Sequence, residues 1–291
     1  MLLNLREYHR ISPQEPQQVA LDQALALLAR KNVHTVPLAG GDSLVGSADP
    51  AVEAVVDLQG LGLEAIRMEE DGLHIGAMAT RTALAEDESA AQLYNGVIAR
   101  AARLWGGSVQ RNRATVGGAL AVAVPNDPLV AALLACDARV HLYGSDGYLE
   151  ISVVDFLPRR RRLLAAPALI IEAVVPLPPA NCGAALAAVA RTPADAPIVL
   201  AVAVLAAGEG KCTGARLVLG ACEDRADRLG DIEEMLIGRA LTGELIADAA
   251  GRVSQLVDPV TDHRGSAEYR RAMARVLSER ALGEAWAALA G

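Results

Sequence analysis

The stretch from Gln110 to Leu120, Q-R-N-R-A-T-V-G-G-A-L, constrains the fold more than any other part of the chain. It packs two arginines, an asparagine, a threonine and a glycine pair into a few residues, and an apolar run follows. Adjacent glycines let the backbone take conformations closed to other residues and let a ligand approach the main chain. Amides bared in such a turn bind anions, phosphates above all. A second glycine loop, Pro37 to Gly46, comes directly after a β-rich run. The pair predicts two walls of one diphosphate site.

At 291 residues there is chain enough for two or three units with cores of their own. The hydrophobic share of 52% excludes a disordered chain. A net charge of -8 argues against general nucleic-acid binding. The basic run Arg159 to Arg162 reads as a solvated loop after Pro158, with a docking contact to an acidic partner as the alternative. Cys136, Cys182, Cys212 and Cys222 are far apart and form no C-x-x-C pair, so neither a zinc nor an iron–sulfur site is expected. The first residues lack the apolar core of a signal peptide, and no uncharged apolar stretch is long enough for an integral membrane segment. A cytoplasmic protein is the expectation.

Periodicity predicts a helix over Gln17–Arg30 and strands over His34–Leu38 and Val52–Leu58. A second unit is expected to begin near Leu63, with a hairpin turning at Asp71-Gly72. Thr80 is a candidate helix cap, and Ser89–Trp105 reads as one longer helix. Helix Asp127–Cys136, a hairpin around Asp146-Gly147 and an apolar strand Ala168–Val175 follow. The proline cluster Pro176-Leu177-Pro178-Pro179 is the strongest linker signal. Beyond it come three antiparallel strands, then helices Ile232–Ile237, Thr242–Leu256 and Ser266–Ala290.

Five motifs, in order, make the pattern recognisable. A-G-G-D-S-L at Ala39 to Leu44 resembles the first flavin loop of the FAD-binding medium subunits of molybdenum hydroxylases, the carbon monoxide and xanthine dehydrogenases and their relatives. R-N-R-A-T-V-G-G at Arg111 to Gly118 resembles their second loop. L-I-I-E-A-V-V-P from Leu169 is similar to the strand closing the FAD domain. R-T-P-A-D-A-P-I-V from Arg191 is similar to the opening of the C-terminal domain, and D-H-R-G-S-A-E-Y-R-R from Asp262 to its terminal helix. The chain departs from the family pattern at Ala114, at Ala119 and at Asp127, which sits one position early.

The resemblance implies an α+β fold: a two-subdomain FAD-binding domain of the vanillyl-alcohol-oxidase type over 1–178, divided near residue 60, and a C-terminal domain over 179–291 with a three-stranded antiparallel sheet and helices. It implies FAD as cofactor, held by Ala39, Gly40, Gly41, Asp42, Ser43, Leu44, Arg111, Thr115, Val116, Gly117, Gly118, Asn126, Asp127, Leu169 and Arg191. It implies an oxidoreductase subunit in a hetero-oligomer. A molybdenum-cofactor large subunit oxidises the substrate, a 2Fe-2S small subunit relays electrons, and this chain passes them to an acceptor. No catalytic side chain and no metal are expected in it. A stand-alone flavin oxidoreductase and a flavin-free assembly subunit are the alternatives.

Overall fold

The computed structural model describes residues 4–47, 49–165 and 167–289. Ala290, where the last helix was expected to end, lies outside the described residues. The chain begins with β1 (Glu7–Arg10), α1 (Gln17–Leu28), β2 (Thr35–Leu38), α2 (Asp42–Ser47) and β3 (Ala54–Asp57). Then come β4 (Ile66–Glu69), β5 (Gly72–Gly76), α3 (Arg81–Glu86), α4 (Glu88–Gln92) and α5 (Val97–Arg103). Three short helices follow: α6 (Ser108–Arg111), α7 (Val116–Val122) and α8 (Pro128–Ala135). β6 (Arg139–Gly144), β7 (Gly147–Ser152), α9 (Val153–Leu163) and β8 (Ala168–Pro176) complete the middle of the chain. The last part holds β9 (Cys182–Val189), β10 (Val199–Gly208), β11 (Lys211–Gly220), β12 (Asp227–Arg228), α10 (Gly230–Leu236), α11 (Gly243–Leu256) and α12 (Ala267–Ala288).

These elements form two compact units that interleave in sequence. The first takes Met1–Ala83, Ser108–Val122 and Arg139–Val175; the second takes Leu84–Gly107, Ala123–Ala138 and Pro176–Gly291. The first unit contains a parallel sheet in the order β1-β3-β2. Its central strand β3 is buried along its whole length, as a strand flanked on both sides requires. Helix α1 turns Ala20, Leu21, Ala24 and Leu25 inward, at the i, i+1, i+4, i+5 spacing of one helical face. They meet Val56, Leu58 and Leu169 in one apolar cluster.

The same unit holds a five-stranded sheet, β4-β5-β8-β6-β7, containing both expected hairpins. A closed web of charges crosses its strands. His74 binds Asp71 at 2.8 Å and Glu172 at 3.2 Å; His141 binds Glu172 at 3.0 Å and Glu150 at 3.0 Å. Arg139 closes the ring on Asp71 at 2.8 Å and Glu150 at 3.5 Å. Glu69, Asp71 and His74 place one ligand atom each within 4.8 Å of one another. The remaining oxygens of the two carboxylates are taken by Arg67, on Glu69, and by Arg139, on Asp71. Both histidines are strand residues. The web adds cross-strand ion pairing to that role.

The second unit contains the antiparallel sheet β12-β11-β10-β9. The three expected strands are present, and two-residue β12 extends their edge. Helix α12 begins at a Ser266 cap whose hydroxyl accepts from the Tyr269 amide. It contributes Ala274, Leu277, Ala281 and Leu282 to the unit's core, with Val199, Ala201 and Leu217 of the sheet. Before the helix starts, Asp262 accepts the amides of Arg264 and Gly265 and the guanidinium of Arg270. Arg270 is 5% exposed and also donates to the carbonyls of Ile198 and Ala221. One arginine thus ties the terminal helix to two chain segments at the sheet.

Two expectations are corrected. Ser89–Trp105 is not one helix: α4 and α5 are separated by a 3-10 turn over Leu93–Gly96, where Tyr94 (φ 50) and Asn95 (φ 54) are left-handed. Apolar spacing continues across the break, but Asn95 and Gly96 suit the left-handed region. The Asn95 carboxamide also accepts the Ala184 amide at 2.8 Å, which anchors the turn. Arg159–Arg162 is not a loop. It lies in α9, which continues through Pro158 from a Ser152 cap that accepts the Asp155 amide. Three of those arginines occupy the last turn, where positive charge opposes the helix dipole. Among the described residues no helix is long and apolar enough to cross a membrane.

Two pH dependences follow. Burial raises the Asp262 carboxyl, but the Arg264 amide, the Arg270 guanidinium and the Gly265 amide outweigh it and hold it down at about 2. A depressed carboxyl stabilises the fold above its unfolded value, and the contribution fades as pH falls towards the folded value. Asp262→Asn should therefore lower the melting temperature at neutral pH, with the gap to wild type closing in strong acid. His74 runs the other way. Burial lowers it, but Asp71 and Glu172 prevail and raise it above 6.5. That contribution is complete below 6.5 and is lost as pH rises through the folded value. His74→Gln should cost most in mildly acidic thermal melts and least in alkaline ones.

Candidate functional site

Strand β2 ends at the first glycine pair. Gly41 is left-handed, with φ 72, a conformation that a side chain would strain. The chain then enters α2 at once, and the Val45 amide closes the first helical turn on the Gly41 carbonyl at 3.1 Å. The expected loop Pro37–Gly46 is therefore a strand end, a two-glycine turn and a short helix. Asp42 stands in that first turn, where a carboxylate is favoured. The amides of Asp42, Ser43 and Leu44 precede the first intrahelical bond. Among the described residues none of them donates to a backbone carbonyl elsewhere.

The second glycine pair is built differently. Gly117 and Gly118 do not have positive φ, and the expected loop becomes α7 from Val116 onward. Its amides are already taken. Val116 donates to Ala79 at 3.0 Å, Gly117 to Ala77 at 2.8 Å and Gly118 to the Thr115 hydroxyl at 3.1 Å. The glycine at 117 is needed for contact rather than for turning. A Cβ there would lie 2.8 Å from the Ala77 Cβ and 2.9 Å from its carbonyl oxygen. Ala114, one of the departures from the family pattern, is buried and accepts the Arg81 amide at 2.9 Å. The bared amides expected in this stretch are thus spent inside the fold, and Thr115–Gly118 form a packed wall.

The structure brings the two stretches together at Arg113. A Cβ on Gly40 would fall 1.5 Å from the Arg113 carbonyl oxygen, so only glycine fits there. The Arg113 Nε donates to the Gly40 carbonyl at 3.3 Å, across 73 positions of sequence. The Arg113 Nη2 lies 3.3 Å from where a Gly41 Cβ would stand. Arg111, the arginine assigned to the site from sequence, ends α6, is half-buried and is already engaged. Both arginines were visible in the sequence; the fold distinguishes them. Open amides, the exposed Ser43 and an exposed guanidinium within one turn are the donor set that suits a diphosphate.

The other candidates are placed as follows. Ala39 packs against the apolar cluster that contains Leu169, itself 3% exposed and opposite Tyr143 on the neighbouring strand. Asn126 and Asp127 belong to the second unit. Asn126 donates to the Pro197 carbonyl at 3.2 Å, and the Asp127 carboxylate caps α8 by accepting the Leu129 amide at 3.0 Å. Arg191 pairs with Asp195 at 3.6 Å in the same unit. The close approaches make a direct prediction. Gly40→Ala should cost roughly 1–3 kcal/mol or more, the usual range for overpacking. Gly46→Ala, with nothing within 4 Å of the new Cβ, should leave the melting temperature unchanged or slightly raised.

Comparison with known proteins agrees along the chain. The family described as FAD binding domain in molybdopterin dehydrogenase matches residues 15–178. The one described as CO dehydrogenase flavoprotein C-terminal domain matches residues 184–285. The 6-hydroxypseudooxynicotine dehydrogenase complex subunit alpha of Paenarthrobacter nicotinovorans is 33% identical, over 91% of this chain and 92% of that one. The carbon monoxide dehydrogenase medium chain of Afipia carboxidovorans is 30% identical, over 95% of each. The solved carbon monoxide dehydrogenase of Hydrogenophaga pseudoflava superposes with a TM-score of 0.88 at 29% identity, covering 99% of both chains. The chain belongs to the family of FAD-binding medium subunits of the molybdenum hydroxylases.

Proposed function

We propose that this chain binds FAD and serves as the electron-transfer subunit of a heteromeric molybdenum hydroxylase. It receives electrons from the iron–sulfur clusters of a small subunit, after a molybdenum-cofactor large subunit has oxidised the substrate, and delivers them to an acceptor. The observation that carries this reading is the packing of the Gly40–Gly41 turn onto Arg113 in a member of the medium-subunit family. The hydride and single-electron chemistry is the flavin's own, and the protein supplies binding, orientation and exclusion of water.

Within this reading the first turn is the donor side of the diphosphate site, through the amides of Asp42 to Leu44 and the Ser43 hydroxyl. Thr115, Val116, Gly117 and Gly118 are assigned to the cofactor by their match to the second family loop, and Val116 and Gly117 are bonded to Ala79 and Ala77. Leu169, Arg111 and Arg191 are assigned to the cofactor by their match to family motifs, and Asp127 by its place one position from the family's acidic residue, with Asn126 beside it. The FAD-binding domain occupies 1–178 and the C-terminal domain 179–291, and the complex works in the cytoplasm.

The test is co-expression with the partner subunits, followed by the visible spectrum and release of flavin from the purified complex. A flavin spectrum at one equivalent per chain is the expected result. An intact three-subunit complex without flavin overturns the reading, and substrate turnover by this chain alone would point to a free-standing oxidoreductase. Gly41→Val forces a branched side chain into the left-handed region. It should strip flavin from the complex while leaving the subunits associated, as read by gel filtration.

A further inference from the structure

We infer that Arg113 is the charged anchor of the diphosphate: its backbone and Nε lock the first glycine turn, and its terminal guanidinium nitrogens bind the phosphate oxygens. The inference rests on the FAD reading and adds Arg113 to the residues assigned to the cofactor.

Several observations converge. The Arg113 carbonyl fills the space in which Gly40 would carry a side chain, and the Nε returns to the Gly40 carbonyl at 3.3 Å. The backbone of Arg113 is itself fixed, because its amide donates to Gln110 at 3.0 Å and the next amide, of Ala114, to the same carbonyl at 2.7 Å. One edge of the guanidinium is therefore spent on the protein. The other edge is not. Among the described residues Arg113 makes no ion pair, and its side chain is exposed beside the open turn. The partner it does have is a carbonyl rather than a carboxylate, so its charge is not matched by an acid among the described residues.

Physical chemistry supplies the rest. Guanidinium is permanently charged and presents its donors in a planar fork that suits paired phosphate oxygens. Fixing Nε to a carbonyl restricts side-chain rotation beforehand, which lowers the entropy lost when the terminal nitrogens bind. The neighbouring amides are neutral donors, so the positive charge of this turn comes from Arg113. An anionic ligand is then favoured over the uncharged part of the same cofactor.

The experiment uses the chain in its complex, stripped of flavin, and titrates FAD, ADP and riboflavin by calorimetry. The variants are Arg113→Ala, Arg113→Lys and, as a control for charge, Arg161→Ala on the exposed side of α9. Arg113→Ala should weaken FAD and ADP by roughly 10–100-fold, the equivalent of one charge-assisted hydrogen bond, and flatten the salt dependence of binding. Riboflavin, which has no phosphate, should bind Arg113→Ala as it binds wild type. Arg113→Lys should recover part of the loss, and Arg161→Ala should match wild type. FAD affinity within about twofold of wild type in Arg113→Ala overturns the inference, since no such bond is then lost. Equal weakening of FAD and riboflavin also overturns it, because Arg113 would then only shape the turn. Wild-type complex that binds no FAD sinks the underlying reading instead. If Arg113→Ala does not assemble, Arg113→Gln, which keeps a donor without the charge, is held to the same criteria.

Discussion

The contact between Gly40 and the Arg113 carbonyl is the constraint on which the candidate site depends. Two backbone segments, 73 positions apart, approach so closely that a single methyl group would overlap an oxygen. That approach fixes where β2 must end and where the chain must turn. The glycines of the two motifs thus have two different physical tasks. Gly41 supplies a left-handed turn, and Gly40 and Gly117 supply empty space. The asymmetry decides what each stretch can offer a ligand. The first keeps open donors; the second has committed its amides to Ala77, Ala79 and Thr115.

Away from the site, charged side chains act as fasteners. In the first unit, His74, Glu172, His141, Glu150, Arg139 and Asp71 bind one another around a ring that spans four strands. In the second unit, Asp137 binds Arg216 and Arg228, and Arg228 binds the buried Glu233, which also accepts the Leu217 amide. Arg270 does the same for the terminal helix. Groups as buried as Glu233 and Arg270 would be costly if unpaired, so each has several partners.

The strands and hairpins were the most legible part of the sequence. Asp71-Gly72 and Asp146-Gly147 signalled their hairpins because few residues tolerate such turns. Thr80 was legible as a cap, and the expected helix starts at Thr242 and Ser266 are capped as well: the three hydroxyls accept the amides of Ala83, Leu245 and Tyr269. Misreadings arose where local pattern met a tertiary demand. Ser89–Trp105 has helical spacing throughout, yet Asn95 is drawn out of the helix to accept the Ala184 amide. Pro158 suggested a loop, yet the capped helix continues through it.

The candidate site divides along the same line. The sequence alone determined that two glycine motifs lie in one chain, in the family's order and with the family's C-terminal signature. That follows from residue identity, because glycine is required wherever a side chain cannot fit. Only the tertiary structure decided which glycine turns and which packs, which amides remain open, and that Arg113 reaches across to Gly40. Those outcomes depend on the register between segments distant in sequence, and spacing along one chain does not encode it.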